Sequence, residues 1–166
     1  MGGFHVEAAE PDPAGVERLL RGLPEWFGIE SAVVDYVEDS RRLPTVLAWP
    51  AARRDNPIGA LLLRRHFPTA AEIHLMAVRR DWHRRGVGTA LVTAAERIVG
   101  ADGADLLSVK TLGPSHPDPN YRRTRAFYRA LGFLPVQELL GLWPDNPCLI
   151  MVKFLSDVPT LNRARS

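Results

Sequence analysis

The alternation of apolar and polar positions is clearest in the middle of the chain, where a strand is followed by a helix. Residues 71–78 are apolar apart from Glu72 and His74, a pattern typical of a buried β-strand. Across residues 87–98 apolar side chains recur every three or four positions, which predicts an amphipathic helix. The short basic segment 79–86 joins the two. The pattern therefore predicts a strand–turn–helix unit.

Further strands and helices are predicted on both sides of this unit. Strands are predicted at 4–9, 45–49, 58–64, 104–110, 133–140 and 148–153, and helices at about 13–23, 31–42 and 121–131. Strand 104–110 follows a strand and its crossover helix, so it should lie parallel to strand 71–78. We expect an α/β domain over residues 1–155, with a mixed sheet of six or seven strands, and a polar tail over 156–166.

Composition limits the classes of function. Hydrophobic residues make up 46% of the chain and charged residues 24%, which is enough apolar material for a packed core. The single cysteine excludes an internal disulfide and a cysteine-based metal cluster, and no metal site is predicted. No apolar run approaches the roughly 20 residues of a membrane span, and no signal peptide is recognised, so we expect a cytoplasmic protein.

The net charge of +2 and the pI near 9.0 suit an anionic ligand. The arginine pairs are dispersed along the chain with no aromatic platform between them, so no nucleic-acid partner is expected. The turn contains Arg84, Arg85, Gly86 and Gly88 just before the predicted helix. Free N–H groups and the helix dipole favour negative charge there, and glycine lets a phosphate approach the backbone.

Two other interpretations of this turn remain open. The glycines can serve only to pack a helix on a sheet, and the arginines can be a solvated surface. The dinucleotide pattern is not met, because Leu91 stands at its third glycine, and there is no Gly-Lys-Ser/Thr sequence of a Walker loop.

Two segments resemble the acetyl-CoA-binding segments of the GNAT acyltransferase superfamily. The first, residues 83–88, matches the turn Gln/Arg-x-x-Gly-x-Gly/Ala, with His83 at the usual Gln or Arg. The second, residues 124–133, is similar to Ala-x-x-Phe/Leu-Tyr-x-x-x-Gly-Phe. The resemblance covers about residues 45–153. It implies the GNAT fold, with helices on both faces of the sheet and a splayed pair of central parallel strands.

The resemblance implies that acetyl-CoA is the acyl donor and that its pantetheine arm runs between the splayed strands. A bulge in strand 71–78 would free backbone N–H groups near Met76, Ala77 and Val78 for the pantetheine amides and the thioester oxygen. The diphosphate would bind at the turn and the helix start, which supplies His83, Arg84, Arg85, Gly86, Val87, Gly88 and Thr89. One of the two arginines should point to solvent.

The second segment supplies further candidates. Where the family has an asparagine seven residues before its tyrosine, this chain has Tyr121, and the adjacent Asn120 is the candidate for the pantetheine contact. The resemblance makes Tyr128 the general acid that protonates the leaving CoA thiolate. The alternative for Tyr128 is a core aromatic, as Phe127 is.

An amine acceptor must lose a proton, since a lysine-like amine has a pKa of about 10.4. Glu72 and His74 share one face of the strand and match base positions in histone-acetylating and arylalkylamine-acetylating relatives, respectively. Glu72 is favoured over His74. The alternatives are a solvated glutamate and a structural histidine. Cys148 lies in an apolar strand and is interpreted as a buried thiol, which favours direct transfer over an acyl-enzyme.

The sequence thus predicts an acetyltransferase that acts on a primary amine of a small molecule or a peptide. A longer acyl group, an alcohol acceptor, or an acyl-CoA-binding module without turnover are the alternatives. Trp26, Phe27 and Tyr36 either pack helices on the sheet or line the acceptor pocket. Carboxylates that would attract a cationic acceptor are Glu25, Glu30 and Asp35. Family habit also allows a homodimer.

Overall fold

The computed structural model describes residues 2–155, and the predicted tail at 156–166 lies outside the described residues. Seven strands form one sheet in the order β1-β2-β3-β4-β5-β7-β6. The strands are β1 Phe4–Ala9, β2 Thr45–Pro50, β3 Gly59–Phe67, β4 Ala70–Val78, β5 Leu106–Leu112, β6 Leu134–Trp143 and β7 Asn146–Phe154. The helices are α1 Pro13–Arg21, α2 Glu30–Asp39, α3 Val87–Ala101 and α4 Pro119–Ala130.

Strands β4 and β5 pair in parallel and all other neighbours pair antiparallel, which confirms the predicted mixed sheet and crossover. Some predicted boundaries were wrong. Helix α4 begins at Pro119, two residues early, because the Asp118 side chain accepts hydrogen bonds from the N–H groups of Asn120 and Tyr121. Helix α2 begins at Glu30 without the predicted Ser31 cap.

Each face of the sheet has its own core. Against one face, α3 contributes Val87, Leu91 and Ala95, and α4 contributes Tyr128. Against the opposite face lie the apolar side chains of α1 and α2, namely Val16, Leu19, Leu20 and Val33. The predicted helices on both faces are therefore confirmed. Cys148 is fully buried, as predicted for an inert thiol.

A bulge in β4 reverses which face its side chains occupy. Leu75 pairs with Leu62 and Ile73 pairs with Leu63, so His74 is the extra residue. Before the bulge Ile73 belongs to the core under α3, whereas after it Leu75 belongs to the core under α1 and α2. The predicted bulge in this strand is thus confirmed, and it lies at His74.

The central parallel pair opens beyond this bulge. The β4–β5 ladder ends where Ile73 pairs with Val109, although β5 pairs with β7 as far as Leu112. Strand β4 keeps its pairing with β3 up to Val78. Hence the edge of β4 that faces β5 is left without a strand partner over Leu75–Val78, within the described residues. The divergence of β4 from β5, rather than the bulge alone, frees the main-chain groups of β4 that point toward β5.

At the far edge of the sheet, β6 exposes apolar side chains to solvent, including Leu134, Val136 and Leu140. The homodimer stays a prediction, as does the single-domain boundary at residue 155. Among the described helices, none combines the length and apolar character needed to cross a bilayer.

Candidate active site

A cavity of about 420 Å³ lies where β4 and β5 diverge. Its walls come from four places: the open strand edges, the start of α3, one face of α4, and the loop between α1 and α2 with Tyr36 of α2. Nearly all of the predicted site residues line it. They are His74, Met76, Ala77, Val78, His83, Arg84, Gly86, Val87, Gly88, Thr89, Asn120 and Tyr128, whereas Glu72 and Arg85 do not.

The turn before α3 holds its shape through backbone geometry. Gly86 has φ +84°, a left-handed conformation that glycine adopts without a steric penalty. Helix α3 starts at the next residue and has no side-chain cap, so its first N–H groups are free for a ligand. This geometry favours an anion at Gly86, Gly88 and Thr89.

The two adjacent arginines differ in position. Arg84 has φ +59° and lines the cavity. The Arg85 guanidinium lies over the Trp82 ring, 5.1 Å from its centroid, so its side chain is held away from the cavity by a cation–π contact. Of the pair, Arg84 is therefore the one placed to contact a bound anion through its side chain.

His83 holds the end of β4 to the turn. Its Nε2 lies 2.6 Å from the Val78 carbonyl oxygen, and its ring meets the Trp26 ring edge-on at 5.6 Å. Its Nε2 is thus already engaged by the backbone, whereas the family resemblance implied that His83 helps to bind the diphosphate. His83 consequently holds Val78, the last residue of β4, in position.

Gly88 sets the spacing between α3 and α4. A Cβ atom at this position would lie 3.1 Å from the Phe127 ring, which is tighter than ordinary packing allows. The two helices therefore converge at the cavity. This contact is a second reason for glycine here, beside the approach of a phosphate.

Helix α4 is tied across the cavity to the α1–α2 loop. The Tyr121 hydroxyl donates to the Trp26 carbonyl oxygen at 2.6 Å, and the Trp26 indole N–H donates to the Thr124 hydroxyl at 3.3 Å. Burial raises the pKa of Tyr121 to about 12, so the phenol stays a donor. Tyr121, which replaces the asparagine of the family pattern, thus closes one side of the cavity, and Asn120 lines it nearby.

Thr111 is a site residue that sequence analysis missed. It is 4% exposed, it lines the cavity, and its hydroxyl has no hydrogen-bond partner among the described residues. Buried polar groups without partners are rare in folded proteins. A bound ligand would satisfy this hydroxyl. The sequence did not point to Thr111 as a site residue, because threonine is common in strands for packing reasons alone.

Tyr128 lies at the cavity from the side of α4. It is only 3% exposed and meets the rings of Phe127 and Phe133 edge-on. Burial raises the pKa of its phenol well above the ordinary value. The group is therefore fully protonated at neutral pH.

Glu72 is the centre of a buried charge network behind the cavity. Its Oε2 is 3.0 Å from His66 Nε2 and accepts a hydrogen bond from the Lys110 ammonium group. Burial would raise the pKa of Glu72, but its polar contacts with His74, Lys110 and His66 outweigh burial and lower the pKa to about 2. Glu72 is therefore ionised at neutral pH.

His74 joins this network to α2. Its Nε2 is 2.7 Å from Asp39 Oδ2, its Nδ1 is 3.8 Å from Glu72 Oε1, and its ring meets Tyr36 edge-on. Asp39 also accepts a hydrogen bond from Arg64. Asp39 was not recognised in the sequence, because it lies 35 residues before His74 at the end of a helix whose acidic residues look like surface groups.

A family comparison decides what this site belongs to. The model of the acetyltransferase (GNAT) family matches residues 15–133, more than half of the chain. The protein belongs to the GNAT acetyltransferase family. Membership confirms the resemblance and the enzyme class, and acetyl-CoA is the acyl donor of this family. No curated protein matches the chain in sequence.

Solved structures show the same GNAT fold. A GNAT-family protein from Desulfovibrio desulfuricans is 18% identical with a TM-score of 0.77, covering 94% of this chain and 100% of that one. An aminoglycoside 6'-N-acetyltransferase complexed with coenzyme A is 20% identical with a TM-score of 0.72, covering 93% and 99%. A ribosomal-protein alanine N-acetyltransferase from Escherichia coli is 14% identical with a TM-score of 0.73, covering 96% and 98%.

The cavity residues fit acetyl-CoA. The open edge of β4 would offer main-chain groups to the pantetheine amides, the start of α3 would offer N–H groups to phosphate, and Arg84 would add a cation. Thr111, whose hydroxyl has no hydrogen-bond partner within residues 2–155, lines the same cavity.

Proposed function

We propose that the protein transfers the acetyl group of acetyl-CoA to a primary amine by direct transfer in a ternary complex. One observation carries this proposal: the unpaired edges of β4 and β5 open beside the start of α3 into a single cavity. That cavity has backbone donors at one end and His74 at the other. Cys148 is buried in β7 and does not line the cavity, which favours transfer without an acyl-enzyme.

The donor is bound mainly by the main chain. Acetyl-CoA supplies an activated acyl group in its thioester. On β4, the N–H groups of Met76 and Val78 alternate toward the open edge and would hold the pantetheine arm and stabilise negative charge that develops on the thioester oxygen, whereas the N–H of Ala77 points toward β3. The turn and α3 would hold the diphosphate through Gly86, Gly88 and Thr89, with the Arg84 side chain.

Tyr128 would act as the general acid. Its phenol remains protonated because burial raises its pKa, and a leaving thiolate, whose thiol pKa is about 8.5, accepts a proton from it. Asn120 lines the same side of the cavity and is proposed as a contact of the pantetheine arm.

His74 is the better-supported proton acceptor of the two candidates. A carboxylate with a pKa of about 2 accepts a proton poorly at neutral pH, and Glu72 does not line the cavity. If His74 donates from Nε2 to Asp39, its Nδ1 is left free to take the proton from the amine. Glu72, 3.8 Å from that nitrogen, would then stabilise the charged ring.

Release of CoA thiol by purified protein, measured with acetyl-CoA and a panel of primary amines, tests the function. We expect release that depends on the amine, and a product heavier by one acetyl group in mass spectrometry. Calorimetry with CoA runs alongside. Heat of binding without transfer to any amine would contradict catalysis and favour an acyl-CoA-binding module.

Variants separate the two candidate bases. His74→Gln should lower kcat by about 100-fold at neutral pH, since a positioned base contributes roughly that much. Glu72→Gln should keep more activity in the fraction that folds. The reverse order would assign the base to Glu72.

A further inference from the structure

Aromatic rings line the part of the cavity that the α1–α2 loop and α2 form. Trp26 and Phe27 come from the α1–α2 loop, and Tyr36 comes from α2. Phe27 and Tyr36 meet at 6.0 Å with perpendicular rings, and Tyr36 meets His74 at 5.4 Å. The proposed proton acceptor therefore lies at the end of a row of aromatic side chains. We call Trp26, Phe27 and Tyr36 the aromatic wall.

One residue of the aromatic wall, Trp26, is held in place by hydrogen bonds to α4. Trp26 is held at its carbonyl oxygen by Tyr121 and at its indole N–H by Thr124. The rings of the wall are partly buried, and Tyr36 and Phe27 also pack on the core beneath α1 and α2. Such a wall is preorganised, so a ligand gains contact area without ordering the loop.

The side chains on the cavity surface include basic residues and no acidic ones, among the residues that the structure describes. Within residues 2–155, no aspartate or glutamate side chain lines it. The charged side chains that do line it are basic: Arg84, Lys110 and Arg123. A ligand with several positive charges would meet like charge here and no free carboxylate.

Four of the carboxylates near this end are already paired, whereas Asp35 has no ion pair among the described residues and does not line the cavity. Glu25 binds Arg80 and Glu30 binds Arg21, so two of the three residues that suggested a cationic acceptor are neutralised at the surface. Further in, two more carboxylates are bound to basic groups, Asp39 to His74 and Arg64, and Glu72 to Lys110 and His66. A second ammonium group on the acceptor would have to break one of these pairs.

From this arrangement, and resting on the proposed acetyl transfer, we propose that the acceptor is a small molecule with a primary amine on an aromatic body and no second positive charge. The body would lie on the aromatic wall. The single ammonium group would be held over the ring face of Tyr36 or Trp26 until His74 removes its proton. Polyamines, aminoglycosides and peptides are the competing classes.

Three small amines separate the contributions of ring and charge. Phenethylamine carries the ring, butylamine lacks it, and 1,4-diaminobutane adds a second charge to the butyl chain. We expect kcat/KM to be about tenfold higher for phenethylamine than for butylamine, and lowest for the diamine, as an apolar pocket discriminates by roughly that factor. A diamine, an aminoglycoside or a short peptide that matches or exceeds phenethylamine overturns the proposal while acetyl transfer stands. Failure of every amine overturns both.

Variants of the wall test its role directly. Tyr36→Leu should lower the ratio of kcat/KM for phenethylamine to that for butylamine by about tenfold, because it removes the ring face beside His74. Phe67→Leu removes a ring that is 69% exposed on β3 outside the cavity, and its ratio should match that of the unaltered protein. Tyr36→Phe keeps the ring and should keep the preference. Heat of CoA binding confirms that each variant is folded. An unchanged ratio in Tyr36→Leu overturns the assignment of the wall.

Discussion

The two ends of the cavity are built in different ways. The end that fits acetyl-CoA is made by β4, the turn and the start of α3, between residues 76 and 89, and its groups are mostly main-chain N–H groups. The opposite end is made by side chains from the α1–α2 loop, α2, β4 and β5. There, His74 meets Asp39 across 35 positions of sequence and Glu72 meets Lys110 across 38.

This difference suggests why members of one family share a donor site and differ in their acceptor sites. A site made of backbone needs glycine at a few positions and tolerates other changes, so different members can bind the same donor. A site made of side chains changes whenever one of them changes. The acceptor end is therefore where this protein should differ from its relatives, and four predictions test the contrast.

The largest effect is expected at Tyr128, where the two ends meet. Tyr128→Phe should lower kcat by about 100-fold and leave the KM for acetyl-CoA nearly unchanged, because only the proton donor is lost. Steady-state kinetics measure both. Tyr121→Phe is the matched control: it also loses one buried phenol hydroxyl, but from the bond to Trp26, and its kcat should fall less than tenfold. Equal losses would remove the acid role of Tyr128.

At the acceptor end, Glu72→Gln should reduce stability more than it alters acetyl-CoA binding. Losing the carboxylate leaves the Lys110 ammonium without its buried partner, at a cost of about 3 kcal/mol at pH 7. Denaturant unfolding measures this free energy.

The same variant carries a pH signature. Because the pKa of Glu72 is lowered to about 2 in the folded state, its stabilisation is present above the ordinary value of 4.5 and is lost as pH falls toward 2. The unaltered protein should lose up to about 3 kcal/mol over that window, and Glu72→Gln should lose less. Identical pH profiles would show that folding does not lower the pKa of Glu72.

At the donor end, the two adjacent arginines should behave differently. Arg84→Ala should raise the KM for acetyl-CoA about tenfold, since it removes a charged contact from the cavity. Arg85→Ala removes a guanidinium that lies on Trp82, and its KM should stay within about twofold. A larger effect at Arg85 would mean that the turn rearranges when the donor binds.

The smallest effect is expected from a pair of glycines. Gly86 and Gly103 both have positive φ, +84° and +90°, with no atom within 4 Å of an added Cβ. Alanine at either position should cost about 1 kcal/mol of stability from backbone strain. Only Gly86→Ala should also raise the KM for acetyl-CoA, by a few-fold, because only Gly86 borders the cavity. Equal KM values would contradict a donor site at this turn.

Local patterns predicted most of the elements and the donor end. Alternation in residues 71–78 and helical spacing after Val87 depend on neighbours in sequence, and the glycines report backbone conformation directly. The choices between paired residues could not be made from the sequence. The sequence did not show which of Arg84 and Arg85 faces the cavity, because that depends on the contact of Arg85 with the Trp82 ring. The sequence favoured Glu72 over His74 as the base, because the partners that lower the pKa of Glu72 come from β3 and β5 and are not visible in the sequence around it.

The sequence by itself determined the mixed sheet, the parallel crossover and the turn that suits an anion, because each follows from short-range periodicity or from a glycine that permits one backbone shape. Only the tertiary structure decided how the acceptor end is built. The bulge at His74 reverses the faces of the strand, Asp39 and Lys110 come from distant elements, and the hydroxyl of Thr111 finds no hydrogen-bond partner among the described residues. Burial and charge pairing depend on which elements come into contact, and that is a property of the folded chain rather than of any segment.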